Sequence, residues 1–206
     1  MKSRLQLAAA ATPYVAVFAG LHVLRSAWAA IVIYHVAAVG VLALGRPERL
    51  GRAILSGWSA RAAAPASAAA AMGGGLVYVL WPYAGLETAG LAEVLARLGL
   101  GGTSWWVFGA YFVGVHPLLE ELTWRCYLAR AQRGPHWIDA LFAGYHVPVL
   151  ILFLKPPWIL PGFAVLALAA WGWRIIARWT GGLGVAVISH AAANASIFLV
   201  ATVIAA

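Results

Sequence analysis

"HPLLEELTWRCYL", residues 116–128, sets two adjacent glutamates, Glu120 and Glu121, and an arginine, Arg125, in one of the most apolar parts of the chain. A charged side chain at mid-bilayer costs about 2.5–3.5 kcal/mol on insertion scales. Three such groups facing lipid would cost roughly 8 kcal/mol, so they must face protein or a water-holding cavity. Helical spacing sorts them. Glu121 and Arg125 are four apart, share a face and can pair. Glu120 is turned about 100° from Glu121 and points elsewhere. The expectation is that Glu121 is neutralised locally while Glu120 is left available.

The rest of the chain supplies the oil. Its 206 residues are 64% hydrophobic and 10% charged, with a mean hydropathy of +0.86. A soluble domain is about 45–50% apolar and about 25% charged. A helical span takes about 20 apolar residues, which leaves room for six to eight spans and little else. The expected fold is all-α, a polytopic transmembrane helical bundle of about seven spans. Residues 1–206 form a single integral-membrane domain, with the motif-bearing half at about 105–206. Apolar runs and Gly/Pro punctuation place the spans at about 5–24, 27–45, 65–85, 105–128, 138–154, 157–176 and 181–204. Arg25-Ser26 makes a tight turn, 46–61 a basic connector and 130–137 a further turn. Residues 85–102 read as a helix lying in the interface. The basic, apolar start resembles a signal peptide, but no polar domain follows it, so it reads as a retained first span.

The net charge is +8. With no basic stretch outside the short loops, nucleic-acid binding is not expected; the arginines mark cytoplasmic loops and anionic lipid instead. With the N-terminus inside, eleven basic residues fall at or near the cytoplasmic side, and Arg25, Arg97 and Lys155 fall outside. The expected location is therefore a cell membrane, multi-pass, with a cytoplasmic N-terminus. Trp105, Trp106, Trp137, Trp158 and Trp179 lie at span ends, as anchors do. The one cysteine, Cys126, rules out a disulfide within the chain and any multi-cysteine metal site.

Other polar residues answer Glu120. "FAGYH" carries Phe142 and His146; "HAAAN" carries His190 and Asn194, four apart on one face. Counted from the cytoplasmic ends of their spans, Glu120, His146 and His190 lie at similar depths, roughly 12–14 Å at about 1.5 Å per residue. His116, one turn before Glu120, reads as its support or as a ligand. Taken singly, a buried His or an intramembrane Glu–Arg pair more often packs or locks helices, and His22, His35 and His136 are read as packing or interface residues. Three such groups in one layer are harder to attribute to packing.

Together Glu-Glu-x-x-x-Arg, Phe-x-x-x-His and His-x-x-x-Asn resemble the CPBP family, the CAAX-processing and bacteriocin-processing (Abi) membrane endopeptidases. The resemblance spans 120–194. It implies an intramembrane endopeptidase of the glutamate type. Glu120 would activate a water with help from His146, His190 and Asn194 would stabilise the oxyanion, and Glu121 and Arg125 would support the site. The substrate would be a membrane-anchored protein or peptide precursor, cut in the cytoplasmic half of the bilayer. Arginine far exceeds lysine, which suggests a GC-rich prokaryotic genome in which prenylated substrates are less expected. One Glu and two His also suit zinc with an open water position; a reaction without cofactor or metal is the expectation, and zinc the weaker alternative. Two other readings stand beside the peptidase: an immunity or scaffold protein of the same fold, and a small transporter or proton relay.

Overall fold

The computed structural model describes residues 2–45, 50–86, 90–128 and 134–206. Arg46, Arg49, Arg130 and Arg133, used in the charge count, lie outside the described residues, as do parts of the 46–61 connector, the 85–102 segment and the 130–137 turn.

The fold is all-α. Helices α1 (Lys2–Phe18), which runs on into a π-turn at Ala19–Val23, and α2 (Ala27–Gly45) form a hairpin. Short α3 (Leu50–Leu55) precedes long α4 (Ala60–Ala84), and α5 (Leu91–Arg97) is a short helix within the segment read as interfacial. Then come α6 (Thr103–Gly114), α7 (His116–Glu120) with a π-helical continuation Glu121–Leu128, α8 (Trp137–Gly144), α9 (Val147–Phe153), α10 (Pro156–Trp179) and α11 (Gly184–Ala205). Five stretches are long and apolar enough to cross a membrane: Arg4–Val23, Ala27–Gly45, Ala60–Ala84, Pro156–Trp179 and Gly184–Ala205. They coincide with five of the seven expected spans.

The other two, 105–128 and 138–154, are broken rather than continuous. Pro117 follows a break at Val115, and Pro148 follows one at Tyr145-His146. Proline has no N–H to give to the preceding turn and disfavours helical geometry in the residue before it. Both breaks lie beside motif residues.

The polarity of the molecule is inverted relative to a soluble protein. Leu7, Val36, Met72 and Leu160 are exposed, whereas Glu120, Glu121, Arg125 and His190 are buried. This suits a lipid surround in which charge is tolerated only inside the bundle. Small residues let the backbones approach. A Cβ on Gly74 of α4 would stand 2.7 Å from Ser196 of α11, and one on Gly109 of α6 would meet the Phe198 ring, as expected where packing rather than the hydrophobic effect joins helices. Arg25 turns the α1–α2 hairpin at φ +50°. His22 donates from Nε2 to the Pro148 carbonyl at 2.8 Å, tying α1 to α9, and His136 caps α8 in a reciprocal box with Asp139. These two histidines are structural, as expected.

Candidate active site

Helix α7 is one turn long, with His116 at its start and Glu120 at its end. His116 and Glu120 are four apart on one face, and His116 Nε2 lies 3.3 Å from Glu120 Oε2. From α11, His190 Nε2 reaches the same oxygen, also at 3.3 Å. Both are close polar contacts rather than aligned hydrogen bonds. The second oxygen, Oε1, accepts from the Tyr34 hydroxyl of α2 at 3.5 Å. Tyr34 is oriented for this because its own oxygen accepts from Trp124 Nε1 at 2.9 Å. Glu120 has no exposed surface.

Glu121 is equally buried. Its Oε2 lies 3.4 Å from Arg125 Nε, the expected pairing. Its Oε1 accepts from His190 Nδ1 at 2.9 Å. The expected division, one carboxylate neutralised and the other turned away, is therefore replaced by a shared partner: His190 stands between both. The backbone contributes to this. From Glu121 onward the helix bonds i→i+5, which lowers the angle between successive side chains below the ~100° of an α-helix.

His190 is locked on its flat side too, its ring stacked on Trp173 at 3.9 Å. With Nδ1 committed as donor to a carboxylate, Nε2 is an acceptor in the neutral ring and a donor only in the imidazolium. The arrangement can therefore take a proton at Nε2, and Glu121 stabilises the cation that results.

His146 occupies the α8–α9 junction, where its carbonyl accepts from Val149 and Leu150 at 2.8 and 2.9 Å. Its Nδ1 donates to the Phe142 carbonyl at 2.9 Å. A carbonyl only accepts, so the neutral ring keeps a bare Nε2, suited to accepting a proton. The ring is within electrostatic reach of His190 and His116, and the Phe142 ring lies between it and His190, 4.9 and 6.3 Å from each centroid. Arg125 sits over the Phe142 ring at 4.2 Å. Asn194 Nδ2 donates one hydrogen to the Phe112 carbonyl at 2.9 Å, which fixes the amide plane and leaves its second N–H as a further donor.

Two buried polar residues outside the expected site set make contacts across the bundle. His35 of α2 is buried; its Nε2 lies 2.9 Å from His116 Nδ1 and its Nδ1 lies 2.7 Å from the Tyr111 hydroxyl. With neutral rings and an ionised Glu120, the directions are forced. Tyr111 donates to His35, His35 to His116, and His116 Nε2–H faces the carboxylate. Asp139, the one aspartate in the sequence, holds Arg174 of α10 through Oδ1 at 3.0 Å and Oδ2 at 2.5 Å. A lone acid in an apolar span was a signal for it; His35 carried no comparable signal, because its partners are 76 and 81 positions away.

Among the described residues, no group of three or more His, Cys, Asp or Glu side chains is arranged as metal ligands. Residues 102–196 match the family model described as type II CAAX prenyl endopeptidase Rce1-like. No curated protein and no solved structure matches the chain.

Proposed function

We propose that this protein is an intramembrane endopeptidase using Glu120 as its general base, a reading supported by the match of residues 102–196 to the Rce1-like type II CAAX prenyl endopeptidase model. The observation that carries the reading is Glu120 Oε2, fully buried, with His116 Nε2 and His190 Nε2 each 3.3 Å away. A carboxylate stripped of water is a stronger base than one in solution; His116 Nε2–H, and His190 as an imidazolium, hold it in place.

The reaction runs as follows. Glu120 removes a proton from a water oriented by the bare Nε2 of His146, and the hydroxide attacks the scissile carbonyl. The charge that develops on the oxygen is met by the second N–H of Asn194 and by the Nε2–H of His190, which enters the reaction as an imidazolium and keeps its proton throughout. Glu121 carries the counter-charge of that imidazolium, and Arg125 holds Glu121. Oriented donors of this kind are worth about 3–4 kcal/mol each in the transition state. The proton taken by Glu120 goes to the leaving amine, which closes the cycle. No metal takes part in this scheme.

The substrate class is a membrane-anchored protein or peptide precursor. The basic-residue count supports a cytoplasmic N-terminus and a site in the cytoplasmic half of the bilayer. The Tyr111–His35–His116 line into Glu120 favours a second reading, a proton relay, under which the same variants would lose proton flux in liposomes.

The test is to make Glu120→Ala, His146→Ala and His190→Ala and to follow peptides from a membrane proteome by mass spectrometry. Each variant should lose cleavage seen with the wild type. Normal cleavage by Glu120→Ala would overturn the assignment of the base.

A further inference from the structure

A second polar feature lies at the end of the bundle where Arg125 emerges from the π-helical segment. A cavity of about 180 Å³ is lined by four arginines, Arg52, Arg125, Arg174 and Arg178. Among the described residues no acidic side chain lines it. Glu121 and Asp139 hold Arg125 and Arg174 from behind the cavity wall.

The wall is built from backbone rather than from mobile side chains. Leu183 N donates to the Ala53 carbonyl, Gly184 N to Ser56 and Val185 N to Gly57, at 3.0, 3.0 and 3.1 Å. These bonds zip the end of α3 to the start of α11. Gly57, at φ +78°, leaves no room for a Cβ against Gly182. Arg125 supplies the independent observation. Its side chain is 3% exposed, and neither Nη1 nor Nη2 has a hydrogen-bond partner. A buried guanidinium fork without an acceptor carries a large desolvation cost, and its planar donors match a tetrahedral oxyanion. At about 30 Å³ per water, the cavity has room for one.

The mouth has the character of an interface. Arg52 and Arg178 are exposed, and Trp179 and Leu55, beside the mouth in sequence, are 86% and 80% exposed. Aromatic and apolar side chains next to arginines are what the headgroup level of a bilayer selects.

We propose that this cavity is a phosphate-binding site, filled by the headgroup phosphate of an anionic phospholipid, with Arg125 as the inner ligand and Arg52 and Arg178 at the rim. Occupancy fixes the Arg125 fork, and through Glu121 it fixes His190, so the bilayer's own lipid steadies the candidate active site. The binding does not depend on the peptidase reading.

The test uses the full chain, purified in a neutral detergent. Thermal unfolding is followed during titration with phosphatidylglycerol, phosphatidylcholine or inorganic phosphate, and retained lipid is counted by native mass spectrometry. Arg52→Gln/Arg178→Gln removes two exposed charges without touching the interior, and Arg97→Gln, on α5, controls for general loss of charge. The expected result is saturable stabilisation by phosphatidylglycerol, not by phosphatidylcholine, with affinity at least tenfold weaker in the double variant and unchanged in Arg97→Gln. Equal stabilisation by inorganic phosphate would keep the site and assign it to free phosphate. Equal binding by wild type and double variant, equal loss in Arg97→Gln, or no binding by wild type would overturn it.

Discussion

The Nδ1 of His190 lies 2.9 Å from Oε1 of Glu121. In the proposed scheme the second glutamate therefore acts through the histidine rather than on the substrate, as a positioning residue. Glu121→Gln keeps an acceptor for Nδ1–H but removes the charge that supports the imidazolium. We expect kcat to fall about 10²–10³-fold, the scale of losing one oxyanion donor, with KM nearly unchanged. Steady-state kinetics on a substrate found by the peptide screen would show this, and a pure KM effect would contradict the role.

In the proposed scheme His35 positions His116, whose Nδ1 it meets at 2.9 Å. His35→Phe cuts the line from Tyr111 and should slow turnover about tenfold or more. His35→Gln can still accept from Tyr111 and donate to His116, so it should recover part of the rate. Equal losses in both variants would mean that the ring only fills space.

The Asp139–Arg174 pair joins α8 to α10 with side chains 8% and 3% exposed. Asp139→Ala leaves a buried guanidinium without its carboxylate, at a cost of about 3–5 kcal/mol. The unfolding midpoint in detergent, at a fixed scan rate, should drop by several degrees. Asp139→Leu/Arg174→Leu should recover much of the loss, because it removes both charges.

The α4–α11 contact depends on one glycine and not on its neighbours. A Cβ at Gly74 would press on Ser196, while one at Gly73 or Gly75 meets nothing within 4 Å. Gly74→Ala should destabilise by about 1–3 kcal/mol, the scale of overpacking. Gly75→Ala should be tolerated in the same unfolding assay.

Metal independence predicts that cleavage persists in EDTA and that elemental analysis finds no stoichiometric zinc. Loss in EDTA restored by zinc would replace the glutamate-base scheme with a zinc-bound water.

The all-α membrane class was legible because it depends on amounts: too much apolar surface and too little charge for any aqueous core. Five spans were legible because each is an uninterrupted apolar run. The approach of His190 to Glu120 was also legible, since both are polar exceptions at matching depth in separate runs. Arg125 paired with Glu121 because both lie on one helix, where four-residue spacing fixes the geometry.

What the chain's order could not convey was how facing helices are rotated and where they break. The two prolines are visible in the sequence, yet only packing shows that one break places His116 beside Glu120 and the other sets His146 within electrostatic reach of His190. Helical spacing sends Glu120 and Glu121 in different directions; the π-helical turn and His190 of α11, 69 positions from Glu121, bring them to one imidazole. The same holds for His35, for Asp139 with Arg174, and for the four arginines around one cavity. Local spacing determines which side chains share a helix face. Which faces then meet is a property of the packed bundle, because a buried polar group finds its partner across space and not along the chain.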